Sequence, residues 1–97
     1  ILYEELVLSL TLLSHAYRSK DSLKANAQLG RSSGIIHALE AGLDLKLGGS
    51  LAQTLAGIYQ SARREIMIAR EMQDPARIER LARAFTDMSE SWNKIAA

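Results

Sequence analysis

Apolar positions recur at steps of three and four residues in four separate stretches of this chain. That spacing belongs to helices that bury one face, because side chains three and four apart stack on the same side of a helical turn. The first stretch, Leu2 to Ser19, places Leu2, Leu6, Leu10, Leu13 and Tyr17 on one face. The second aligns Ala25, Leu29, Ser32, Ile36 and Leu39, with Leu43 extending the line. The third aligns Leu51, Leu55, Ile58, Ala62, Ile66 and Ala69. The fourth aligns Ile78, Leu81, Phe85, Met88, Trp92 and Ile95.

The punctuation between these stretches agrees with the periodicity. Asp21 or Ser22 can cap the second helix by accepting from an otherwise unpaired backbone N–H. Gly42 suits a left-handed stop, and Ser50, after Gly48-Gly49, suits a cap for the third helix. Asp74-Pro75 is the sharpest boundary: aspartate caps, and proline takes the first helical position, where a missing N–H costs nothing. Leu43-Asp44-Leu45-Lys46-Leu47 alternates like a strand but is short and has no second strand to pair with, so it reads as a packed connection. Short connections make successive helices antiparallel neighbours. The predicted fold is all-α, an antiparallel up-down-up-down four-helix bundle, as a single domain over residues 1–97.

Composition narrows the function classes. The chain is 97 residues long and 47% hydrophobic, enough for one core. No run reaches the ~18 apolar residues of a membrane span, so no membrane insertion is expected. The absence of cysteine removes disulfides and thiolate chemistry and suits a reducing, cytoplasmic setting. A net charge of +1 gives no strong pull toward nucleic acid. Arg63, Arg64, Arg70, Arg77, Arg80 and Arg83 interleave with Glu65, Glu71, Asp74 and Glu79, which predicts a solvated, ion-paired surface. The chain starts at Ile1, inside a periodic stretch and without Met or cap, and so reads as lacking a natural N-terminal segment.

Candidate chemistry is thin. A di-iron bundle needs Glu-x-x-His pairs on two helices, and neither His15 nor His37 has a glutamate three residues before it. Glu4 and Glu5 are adjacent and point about 100° apart around a helix, so they cannot work as a pair. No phosphate loop or nucleophile elbow occurs. The expectation is a binding protein, not an enzyme, with no cofactor and no metal.

Two features exceed what a core requires. Ile1, Leu8 and Leu12 form a second apolar stripe on the first helix, roughly opposite Leu6, Leu10 and Leu13. An upstream segment folding back, or a partner's apolar segment, would cover it. On the second helix Ala27, Gly30, Gly34 and Ala38 make a strip of small residues, although each interior glycine costs about 1 kcal/mol relative to alanine. Such a strip serves close packing within the bundle or leaves a groove for a client helix. By the same periodicity Ile68 is an exposed apolar position.

The ordered set of short motifs resembles one family. Leu2-Tyr3-Glu4, Ile35-Ile36 with Leu39 and Leu43-Asp44, Gly48-Gly49-Ser50-Leu51, Ile58-Tyr59 with Arg63-Arg64, and Asp74-Pro75 with Trp92 are similar, in order, to motifs of the FliS family of flagellar export chaperones. Glu5, Gly30 and Gly34 depart from the family's usual residues. The resemblance implies a cytoplasmic chaperone that binds the C-terminal segment of flagellin, prevents premature polymerisation and assists delivery to a component of the flagellar export gate. It carries over Tyr3 and Tyr59 as matching tyrosines, although both flank the core faces and could be structural. With the positions read from periodicity, the candidate partner-binding set is Ile1, Tyr3, Leu8, Leu12, Ala27, Gly30, Gly34, Tyr59 and Ile68. The expected state is a monomer or weak homo-oligomer. The alternative is a self-associating structural bundle or adaptor without a flagellin client.

Overall fold

A computed structural model describes residues 2–44 and 48–96. It contains four helices: α1 (Leu2–Arg18), α2 (Ser22–Ala41), α3 (Gly49–Met72) and α4 (Pro75–Ala96). There is no strand among the described residues. The helices pack as a four-helix bundle measuring 43 × 26 × 17 Å. Along α4, Glu79 meets Arg18 at the end of α1 and Phe85 meets Tyr3 at its start. Against α3, Arg77 meets Glu65 and Phe85 meets Tyr59. In both pairs of helices the residue numbers fall on one as they rise on the other.

Two of the three helix connections use one device. Lys20 and Gln73 both adopt left-handed backbone, with φ of 56° and 50°. Each is followed by an aspartate whose N–H reaches back five residues, Asp21 to the Ala16 carbonyl and Asp74 to the Ala69 carbonyl, both at 2.9 Å. This closes the preceding helix. The same aspartates then open the next one. Asp21 Oδ1 accepts from the Lys24 N–H at 3.1 Å, and Asp74 Oδ1 from the Arg77 N–H at 3.3 Å. Pro75 stands first in α4, as its dipeptide predicts.

The α2–α3 connection differs from expectation. Gly42 is right-handed, with φ −80° and ψ −6°, and α2 ends with its N–H on the Ala38 carbonyl, so glycine's freedom is not used there. Ser50 does not cap α3. The helix starts at Gly49, with Gly48 in the cap position and no side-chain bond. The glycines make the earlier start possible. Gly49 has a φ of 56°, and a Cβ on Gly48 would sit 2.6 Å from the Ala52 Cβ and 2.7 Å from the Asp44 carbonyl oxygen. Leu43 packs against the core, while the rest of the alternating stretch, 45–47, lies outside the described residues.

Helix α1 organises the core. Leu6, Leu10 and Leu13 are fully buried, with Ile36 from α2 and Ile78 and Phe85 from α4 around them. α1 packs closely along both α2 and α4, whereas α3 touches its neighbours sparsely. Small residues at the α1–α2 seam explain the close approach. Ser9 and Ser32 are both buried, with hydroxyls 2.9 Å apart. Ser9 already donates to the Leu6 carbonyl at 2.8 Å, so Ser32 must be the donor to Ser9.

Four expected core residues are exposed instead: Leu2, Leu51, Trp92 and Ile95. Their helical phase is right, but they stand in terminal turns, where few side chains face them. Trp92 retains 38% of its surface and Ile95 77%. The third helix buries Ala52 and Tyr59 in addition to the expected Ala62, Ile66 and Ala69.

Candidate partner-binding surfaces

The second apolar stripe of α1 faces outward. Leu8 is 54% exposed and Leu12 43%, in a helix whose opposite side is fully covered. Leu12 lies beside α2, and with His15, Ala16, Lys24 and Gln28 it borders a shallow pocket of about 390 Å³. Ile1, the third member of the stripe, lies outside the described residues.

The small strip of α2 is equally open. Ala27, Gly30, Gly34 and Ala38 are all exposed, on the side away from buried Ser32 and Ile36. A Cβ on Gly30 or Gly34 would meet nothing within 4 Å. Close packing within the bundle, one of the two readings of this strip, is therefore overturned, and the glycines lower the outer ridge of α2. Ile68 is exposed on α3, whose backbone does not approach α1, so it is not brought together with Leu8 and Leu12.

The two tyrosines are placed differently. Tyr59 is 3% exposed, and its hydroxyl lies 2.6 Å from that of half-buried Tyr3. Both rings close on Phe85, Tyr3 edge-on at 5.7 Å and Tyr59 stacked at 6.5 Å. Burial, and then the Tyr3 hydroxyl, raise the Tyr59 phenol above its ordinary pKa, so it stays neutral. As a surface contact Tyr59 is a correction: the pair ties the start of α1 to the middle of α3 around an aromatic hub.

The arginine-rich surface is ion-paired in part. Arg77 binds Glu65 at 3.0 Å and lies 3.7 Å from Asp74, and Arg63 reaches Glu40 on α2 at 3.0 Å. Glu79 pairs with Arg18 of α1 through two hydrogen bonds of 2.7 and 2.8 Å. Those bonds hold its carboxyl below the usual range. Arg64, Arg70, Arg80 and Arg83 form no salt bridge among the described residues. No group of three or more His, Cys, Asp or Glu able to hold a metal ion occurs among the described residues. No helix among them is long and apolar enough to cross a membrane.

One surface was not anticipated. Between α3 and α4 lies an apolar groove of about 440 Å³, floored by Ile58, Leu81, Phe85 and Met88. Its signal in the sequence is faint: Gly57, Ser61 and Ala84 are small residues beside the inner face, where larger ones would fill the space.

A family model described as flagellar protein FliS matches residues 1–97, the whole chain. The chain belongs to the FliS family. FliS is a flagellar chaperone family. No curated protein matches the sequence. Of the residues that carry the FliS resemblance, Tyr3 and Tyr59 meet in the aromatic hub, Asp74-Pro75 opens α4, and Gly48-Gly49 opens α3.

Proposed function

We propose that this FliS-family protein is a cytoplasmic export chaperone that binds the C-terminal segment of flagellin, delays its polymerisation and hands it to the export gate. The observation that carries this reading is the pair Leu8 and Leu12, two large apolar side chains about half exposed on the helix that otherwise anchors the core. Water-exposed apolar area of this kind is lowered in free energy when another apolar segment covers it. The adjacent α2 ridge of Ala27, Gly30, Gly34 and Ala38 puts no bulky side chain in the way of a client backbone. A disordered tail folding on such shallow sites needs neither nucleotide nor metal and no catalytic group. The protein acts as a monomer or weak homo-oligomer that is covered by its client.

The test is size-exclusion chromatography with light scattering, on the chain alone and with a flagellin C-terminal peptide. A one-to-one complex is expected. A dimer that ignores the peptide would refute the client and favour a self-associating bundle.

A further inference from the structure

The α3–α4 groove runs on along α4. Met88, at its floor, also borders a second shallow cavity of about 310 Å³ lined by Asp87, Ser91, Trp92 and Ile95. From Leu81 to Ile95 the apolar trough therefore follows about four turns of α4, roughly 20 Å at 1.5 Å per residue. That is the length of a short helix. The sparse contact between α3 and α4 keeps the trough open, and small residues, Gly57 and Ser61 on one wall and Ala84 on the other, keep its edges low.

Charge marks one end. Arg64 continues the α3 edge, with its guanidinium donating to the Ser61 hydroxyl at 3.2 Å. Arg80 continues the α4 edge, four residues before Ala84. Both are exposed, and neither forms a salt bridge among the described residues. Among the described residues, the one carboxylate lining this part of the groove, Glu65, is taken by Arg77 at 3.0 Å. The mouth near the α3–α4 turn is thus flanked from both walls by cations without a salt bridge among the described residues, while the far end is apolar around Met88, Trp92 and Ile95 with the Asp87 carboxylate at its rim.

We propose that this groove is a docking site for an amphipathic partner helix whose apolar stripe lies along Ile58, Leu81 and Met88 and whose acidic end sits between Arg64 and Arg80. It is separate from the α1–α2 face and does not depend on what that face binds. An apolar stripe in a groove supplies the affinity, and the paired charges fix the direction in which the helix lies.

The chain carries a single tryptophan, Trp92, inside the groove, so its fluorescence reports occupancy. The probes are two synthetic helical peptides of about four turns. Both have leucines at helical spacing; one ends in glutamates, the other in lysines. The expected result is a blue shift of Trp92 emission on titration, with the glutamate peptide binding at least about tenfold more tightly. The double variant Arg64→Glu, Arg80→Glu should reverse that preference. Ala84→Asp, on the exposed edge, should abolish the shift while leaving the thermal melt close to wild type. Equal affinity for the two peptides would overturn the proposal, as would indifference to Ala84→Asp. Loss of binding in Leu12→Asp equal to that in Ala84→Asp would also overturn it, by placing the peptide on the α1–α2 face.

Discussion

Replacing Leu12 with aspartate separates a client surface from a core position. Leu12 is 43% exposed, so a little over half of its surface is covered by the bundle. Full burial of a leucine is worth about 1.5–3 kcal/mol, which makes the covered part worth about 1–1.5 kcal/mol. Aspartate in a helix interior adds about 0.5 kcal/mol of propensity cost. The expected loss of stability is therefore about 1.5–2 kcal/mol, a fall in melting temperature of about 6–16 °C for a domain of this size. Leu10→Ala is the comparison. Leu10 is fully buried, and its truncation should cost about 2.7–5 kcal/mol. Binding should respond in the opposite order. A carboxylate placed under an apolar client segment is desolvated without a partner, a penalty of at least about 2 kcal/mol, or roughly thirtyfold in Kd. Calorimetric titration with a flagellin C-terminal peptide, beside circular-dichroism melts of both variants, measures the two quantities. The reasoning fails if Leu12→Asp melts as early as Leu10→Ala, or if it binds the peptide within twofold of wild type.

Three further outcomes follow from the geometry. Ser9→Ala leaves the buried Ser32 hydroxyl without its acceptor and should cost about 1–3 kcal/mol, while the double change to alanine should cost less than the sum of the single changes; denaturant melts of the four proteins give the cycle. Trp92→Ala should cost only about 1–2 kcal/mol, below the ~3–5 kcal/mol of a core tryptophan, because 38% of its surface is already in water; a melt shifted as far as that of Phe85→Ala would contradict this. Arg18→Ala should return the Glu79 carboxyl upward toward its ordinary pKa, read by carbon NMR titration. Because the folded-state pKa is lowered, the contribution of this pair is present above the unfolded carboxyl pKa and fades as pH falls through the folded one. Both groups are solvent-exposed, so added salt should weaken it further.

The sequence by itself determined the four helices, because helical spacing and capping are local properties. Asp21 and Asp74-Pro75 were readable as caps since each acts on backbone groups within a few residues of itself. Leu6, Leu10, Leu13, Ile36, Ile78 and Phe85 were readable as core for the same reason: their spacing fixes a face, and mid-helix faces are covered. The outward Leu8 and Leu12 were legible too, since one helix cannot bury opposite sides in a four-helix bundle.

Tertiary structure decided whatever depends on what stands opposite. Trp92 and Ile95 have a core phase but stand in terminal turns without cover, and phase carries no information about how far a facing helix reaches. Tyr59 looked like a flanking residue until Tyr3 and Phe85, distant in the chain, closed around it. Gly30 and Gly34 could have served a tight crossing or an open ridge, and only the empty space beside them chooses the ridge. The groove between α3 and α4 is a gap between two faces, which the small residues Gly57, Ser61 and Ala84 announce only faintly. Local periodicity says which way a side chain points, and only the assembled neighbours say what it meets.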